Sequence, residues 1–520
     1  MKLRVGPSWA EVIDYTPDEG NWLRKLMTVR AGTDWYTKDL RVCFLSMLRG
    51  VFPAGLLSYV AAEAARAKRP LDVEWAPGAS VLPVSCPEVY ADGYTFPNGK
   101  QLYEHQRKTV AAGGPAGRAV VESATGSGKT PMMAALLMTL GLPKTLILVG
   151  RRNLVKQTAA EVGDWIGEEV GEASSARRVL GPRVVVALVD SLAAHRDEPW
   201  AVELLSRPLL LLDECHHVNR STGRGAGGGR WYELAQASAA ANRYGFSATA
   251  LKPGDTVQNW RLVGATGPRL DAGVSASALI ESEYGARPYI YYMQFPAPRL
   301  PKSLGYEEAV DRGLVNCIER NEAVVRATRA LLALNIKVLV LVEKLAHGKL
   351  LEMMLQGAGA PVVMTSGVMG QLEQERAIAW LREPGPRCVV ATRVISEGVN
   401  VPDLGGLVYA RGGKSYVMLM QAVGRPMRPK GEAGEVGGGG SCVVVDFEDT
   451  HNPYLKRHYE ERRVMLSRES AFRVASPGQT IEEFSRAVLA GAAKIAEAEV
   501  DADEGGDAAD APGPVGQVGA

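Results

Sequence analysis

The chain has 520 residues, with 59 Lys and Arg against 58 Asp and Glu, 46% apolar and 22% charged residues. Those proportions fit a globular protein of several domains and exclude a wholly disordered or fibrous chain. Cys43, Cys86, Cys215, Cys317, Cys388 and Cys442 contain no CxxC pair, which excludes a disulfide scaffold or zinc ribbon, and no apolar run nears the ~18 residues of a membrane span.

A net charge of +1 argues against a nucleic-acid partner only if the charge is evenly spread, and it is not. From Lys494 to Ala520, one Lys faces Glu497, Glu499, Asp501, Asp503, Glu504, Asp507 and Asp510, a local −6 that leaves +7 on residues 1–493. This end has no aromatic residue and little apolar surface to offset its ordering entropy, so a disordered, solvating tail is expected. Mimicry of nucleic acid is the other reading.

In chain order, residues 1–95 read as a small α+β accessory domain with a helix near Ser58–Lys68. Its role is either DNA binding or capping of the adjoining unit, and Trp22, Trp35 and Tyr36 either stack on bases or form its core. Residues 96–283 alternate apolar strands (Arg118–Glu122, Thr145–Val149, Val184–Leu188, Leu209–Leu212, Arg243–Phe246) with helical stretches. The pattern recurs over 284–470, with strands near Val338–Val342, Val362–Met364, Cys388–Ala391, Gly406–Tyr409 and Cys442–Asp446. Short apolar strands separated by helix-length segments predict α/β units, each a parallel sheet flanked by helices. A C-terminal helix and the acidic tail complete the chain over 471–520. Gly223–Gly229 and Gly434–Gly440 read as mobile surface loops.

Ser123-Ala124-Thr125-Gly126-Ser127-Gly128-Lys129-Thr130 comes directly after a strand and opens a helix, the context a phosphate-binding loop requires. Gly126 and Gly128 let backbone N–H groups turn toward phosphate oxygens at a helix N-terminus, with Thr125 and Ser127 in the same cradle. Lys129 would neutralise the β- and γ-phosphates of ATP and Thr130 would ligate Mg²⁺. Ser123 stands where the simplest pattern has Gly.

The apolar run Leu209–Leu212 ends in Asp213-Glu214-Cys215-His216-His217. Strand C-termini are where ligands bind in open α/β sheets, so Asp213 fits a Mg²⁺ carboxylate and Glu214 the base that activates water. Cys215, His216 and His217 have no second ligand pair at zinc spacing.

Together with segments on either side of them, these motifs resemble superfamily-two (DExH-type) helicases over residues 100–430. Leu102-Tyr103-Glu104-His105-Gln106 is similar to the segment that places an adenine-reading Gln, here Gln106. Gly150-Arg151-Arg152-Asn153-Leu154-Val155-Lys156-Gln157, Val189-Asp190-Ser191-Leu192 and Ser247-Ala248-Thr249 resemble two backbone-contacting motifs and the one that couples hydrolysis to strand movement. Ala391-Thr392-Arg393-Val394-Ile395-Ser396-Glu397-Gly398-Val399-Asn400-Val401-Pro402 resembles the fifth motif, with Asn400 where an acid is common. Gln421-Ala422-Val423-Gly424-Arg425-Pro426-Met427-Arg428 matches the sixth. Val263–Pro268, Ile280-Glu281, Arg320-Asn321, Val445-Asp446-Phe447 and Phe52–Leu57 look like the phage UvsW type of branched-DNA helicase and its XPB-like relatives.

The resemblance implies two tandem RecA-like units and an ATP-dependent helicase or translocase acting on branched or forked DNA. Catalysis would fall to Lys129, Asp213, Glu214, Gln421, Arg425 and Arg428, the two arginines stabilising charge on the transferring phosphoryl group. Gly398 would join Gln106 and the phosphate loop around ATP. Arg152, Gln157, Ser191, Ser366, Gly367 and Thr392 would hold the nucleic-acid backbone, although Arg152 also fits a solvated loop residue and Ser366 and Thr392 fit helix caps. A monomer in a bacterial or phage-infected cytosol is expected, with no membrane partner. Duplex-DNA translocation, RNA unwinding or an ATP-switched DNA-binding module are the alternatives.

Overall fold

The computed structural model describes residues 1–30, 41–46, 48–175, 177–219, 229–252, 255–282, 284–392, 404–424, 441–490 and 495–496. The chain forms two compact units that meet in sequence at Val274 and Ser275. Among the described residues, no helix is long and apolar enough to cross a membrane.

The first unit opens with β1 (Lys2–Val5), β2 (Trp9–Asp14), β3 (Thr28–Arg30), β4 (Arg41–Cys43), β5 (Val51–Pro53) and β6 (Asp72–Trp75). Four of these form a mixed sheet in the order β5-β2-β1-β6, while β3 and β4 pair antiparallel in a sheet of their own. Leu3, Val5, Ala10 and Phe52 turn inward, but this small domain does not close its own core. The helix Thr256–Ala265 of the larger domain completes it with Val257, Trp260 and Val263. Trp260 lies 5.6 Å from the Phe44 ring and 4.9 Å from that of Tyr59. Contact is close enough that a Cβ on Gly55 would sit 2.0 Å from the Val263 carbonyl oxygen. Fully buried Arg243 adds a polar tie, donating to Ser8 Oγ at 2.7 Å.

The larger domain has β7 (Arg118–Glu122), β8 (Thr145–Val149), β9 (Gly171–Ala173), β10 (Arg178–Val179), β11 (Val184–Leu188), β12 (Leu209–Asp213) and β13 (Asn242–Ser247). Their order is β10-β9-β11-β8-β12-β13-β7, with every pairing parallel except β9 with β10. The central strands are apolar and buried along almost their whole length, as a parallel sheet covered by helices on both faces requires. In register, Asp213 pairs with Phe246 and Ser247 with Glu122. The ends of β7, β13 and β12 therefore lie side by side.

The second unit contains β14 (Arg287–Met293), β15 (Lys337–Leu341), β16 (Val362–Thr365), β17 (Cys388–Ala391), β18 (Leu404–Val408), β19 (Ser441–Phe447), β20 (Arg473–Ala475) and β21 (Ile495–Ala496). Its sheet runs β16-β17-β15-β18-β19-β14-β20-β21, again parallel apart from the last pair. A buried ionic network stands behind the C-terminal ends of β18 and β19. Arg320 pairs with Asp449 at 2.7 Å, and Arg462 reaches Asp446 at 2.9 Å and Asp449 at 3.3 Å. The same guanidinium groups donate to the carbonyls of Ala410 and Gly413, at 2.9 and 2.8 Å. They thereby fix the turn that leads into the helix Tyr416–Val423, which carries Gln421.

Candidate active site

The phosphate loop takes the shape its glycines allow. Gly126 and Gly128 have φ of 87° and 79°, a left-handed conformation that L-residues adopt only at a cost. Gly128 precedes the helix Lys129–Thr139, and a Cβ there would meet Gln106 Nε2 at 2.2 Å. Gln106 is buried, and its Oε1 accepts the Tyr103 N–H at 2.9 Å, so the glutamine rests on the phosphate loop. Lys129 Nζ points back to the Ser123 carbonyl at 3.5 Å, while Ser123 N–H donates to the Ser247 carbonyl at 2.9 Å.

Asp213 ends β12, and the chain then turns through Glu214 at φ 53°. A left-handed glutamate is strained, and strain of this kind gathers where a side chain must be aimed. The aim here is at a three-way junction. Ser247 Oγ donates to Glu214 Oε2 at 3.3 Å, and His216 Nδ1 lies 3.2 Å from that oxygen and 2.9 Å from Ser247 Oγ. Thr249 N–H donates to the same hydroxyl at 3.2 Å. The short helical turn Cys215–Asn219 holds these groups.

The two carboxyls are set apart electrostatically. Burial, then the neighbouring Glu214 charge, pushes Asp213 above the usual carboxylate range. Burial also works to raise Glu214, but the His216 hydrogen bond and the Lys129 ammonium outweigh it and hold that group low. A half-buried carboxyl crowded by a second one is a fitting ligand for a divalent cation, whose charge would relieve the repulsion. Cys215 is fully buried and its thiol is pushed well above the ordinary value, chiefly by burial, so it is not poised as a thiolate. Among the described residues, no group of three or more His, Cys, Asp or Glu is placed to hold a metal by itself.

The expected backbone contacts divide between the units. In the first, Arg152 opens the helix Arg152–Ile166, is exposed and donates to Ser175 Oγ at 3.2 Å; Gln157 is exposed on the same helix. Ser191 is only 6% exposed, and its hydroxyl accepts the Ser175 N–H at 3.0 Å, so it braces the β9–β10 turn from behind. In the second, Ser366, Gly367 and Thr392 converge at the ends of β16 and β17, with Gly367 N–H donating to Thr392 Oγ1 at 3.4 Å. Ser366 and Thr392 are buried and Gly367 is exposed. Gly398, Arg425, Arg428, Trp35 and Tyr36 lie outside the described residues, as do the Gln421 side chain, the acidic tail, Gly434–Gly440 and most of Gly223–Gly229. Trp22 packs against the small domain's core with the Arg69 guanidinium 5.5 Å above its ring.

The sequence leaves His216 without a zinc partner, and the structure gives it the Glu214 carboxylate and the Ser247 hydroxyl. The signal available was Ser247, 31 residues on, ending the strand next to β12.

Two family models match the sequence: "Type III restriction enzyme, res subunit" over residues 100–252 and "Helicase conserved C-terminal domain" over 322–430. No curated protein matches. Among solved structures, Saccharomyces cerevisiae Dbp5 bound to RNA and ADP BeF3 is 15% identical, with a TM-score of 0.51, covering 77% of this chain and 93% of that one. UvsW of bacteriophage T4 is 17% identical, with a TM-score of 0.41, covering 90% of this chain and 98% of that one. The likeness to Dbp5 is one of fold, two RecA-like units in tandem. Together the family models span about half of the chain, and it belongs to the superfamily-two helicases, enzymes that hydrolyse ATP to drive a two-unit motor.

Proposed function

We propose that the protein is an ATP- and Mg²⁺-dependent DNA helicase or translocase that remodels branched or forked DNA. The observation that carries the catalytic part is the strand-end cluster of Lys129, Asp213, Glu214, His216 and Ser247 beside a left-handed glycine loop. Asp213 and Thr130 would hold Mg²⁺, which supplies positive charge to the β- and γ-phosphate oxygens. Glu214, kept ionised by His216, is suited to accept a proton from attacking water. Gln421, Arg425 and Arg428 enter on motif likeness, as do Gly398 and the backbone contacts.

The choice of DNA over RNA, and of branched DNA in particular, rests on the UvsW-type motifs. The ATP-switched module is disfavoured because such a switch has no use for an aimed water-activating carboxylate. The test is strand displacement and ATP turnover on single strands, blunt duplex, forked DNA, a four-way junction and RNA. Greatest turnover and displacement on forked or four-way DNA would support the reading. A preference for RNA, or turnover on duplex without displacement, would replace it with one of the alternatives.

A further inference from the structure

We propose that Arg230 and Trp231, the first two residues of the helix Arg230–Ala237, are positioning residues that couple nucleic-acid contact to ATP hydrolysis. The proposal rests on the reading that the Gly150–Gln157 segment faces nucleic acid.

This two-residue segment touches three places at once. The Trp231 ring lies 5.4 Å from the His217 ring at 31°, and His217 lies 4.3 Å from His216. His216 in turn holds Glu214 Oε2 at 3.2 Å. On its other side Trp231 backs onto Gly150, where a Cβ would meet Trp231 Cζ2 at 3.1 Å and the His217 ring at 3.7 and 3.8 Å. Gly150 leads directly into Arg151 and Arg152. Arg230 Nη1 meets Asp190 Oδ1 at 2.8 Å, next to Ser191, and Ser191 braces Ser175, which accepts from Arg152.

The mechanical link comes from packing. Aromatic plates in van der Waals contact cannot be compressed, and Gly150 has no spare space against them. A phosphate that draws the Gly150–Arg152 segment toward it therefore lets the Trp231 ring move with it, and the His217 and His216 rings, packed at a tilt against it and each other, carry the shift to Glu214. The Arg230–Asp190 pair is exposed, so its worth is orientation of the helix end more than binding energy. Neither residue is among those assigned to ATP, Mg²⁺ or the attacking water.

The experiment uses the full-length protein with Trp231→Ala, Trp231→Phe and Arg230→Ala. It measures ATP turnover without nucleic acid, turnover with saturating single-stranded DNA, and the Kd for a fluorescein-labelled single strand. Trp231→Ala is expected to keep basal turnover and Kd within about twofold while the stimulation factor falls about fivefold or more; Phe restores most of it, and Arg230→Ala lowers it in the same direction. Stimulation unchanged in Trp231→Ala, or lost only in proportion to weaker strand binding, would overturn the coupling role. If Trp231→Ala loses its near-UV signal, Arg230→Ala decides: lower stimulation at unchanged Kd supports the proposal and unchanged stimulation overturns it. A wild-type protein that no nucleic acid stimulates would overturn the motor reading, and this proposal with it.

Discussion

Replacing Trp260 by Ala should destabilise the accessory domain and the ATP-binding domain together. Trp260 is only 4% exposed, and with Val257 and Val263 it stands on the motor side of a core to which the small domain contributes Leu3, Phe44, Phe52 and Val60. Truncating a buried Trp to Ala costs about 3–5 kcal/mol, which here includes two ring pairs at about 0.5–1.5 kcal/mol each. For a unit of this size each kcal/mol moves Tm by about 2–4 °C, so the transition should fall by about 6–20 °C. Calorimetry and urea unfolding of the whole chain, monitored by near-UV circular dichroism, would read this out. Trp75→Ala is the control, because Trp75 is 53% exposed on the same small domain and should shift stability by less than about 0.5 kcal/mol. A loss below about 1 kcal/mol for Trp260→Ala, or a wild-type trace in which residues 1–95 melt on their own first, would refute a shared core.

Asp449→Ala leaves Arg320 and Arg462 buried beside a missing charge and should cost about 3–5 kcal/mol by urea unfolding, with Asp449→Asn costing less. His347 is buried, makes a 2.9 Å hydrogen bond to Asn321, and has its pKa lowered to about 3, mainly by burial. Its folded value lies below the unfolded one, so its contribution is complete above pH 6.5 and falls by about 1.4 kcal/mol per pH unit as the pH drops toward 3. His347→Gln should flatten that part of the stability profile, and an unchanged acid slope would contradict the assignment. Gly128→Ala puts a methyl against Gln106 at a φ of 79° and should abolish binding of a fluorescent ATP analogue while leaving the Tm of the second unit unchanged.

The parallel sheets were legible because β8, β11 and β12 are near-continuous apolar runs and β7 carries the apolar stretch Ala119–Val121, and the phosphate loop because its glycines allow its backbone. The short strands β9, β10 and β20, at or next to the sheet edges, escaped notice: two or three residues, partly polar, carry no period. β14 was missed for another reason: its run Tyr289–Met293 follows Pro288, which argues against a strand interior, and the segment is only half buried. The core shared through Trp260 joins residues about two hundred positions apart, which no local pattern encodes. The left-handed turn at Glu214 arises from the tertiary packing of His216 and Ser247, not from any residue preference. Ser191 shows the limit of motif position: it lies in the expected segment, but its hydroxyl faces the interior.

The most direct test is steady-state ATP turnover by the full-length protein and by Glu214→Gln, each with and without DNA. Wild-type turnover should rise on adding DNA, and Glu214→Gln should bind ATP yet hydrolyse it at least about a hundredfold more slowly in both conditions. Equal wild-type rates with and without every nucleic acid, or a Glu214→Gln variant as fast as wild type, would contradict a nucleic-acid-driven motor centred on this carboxylate.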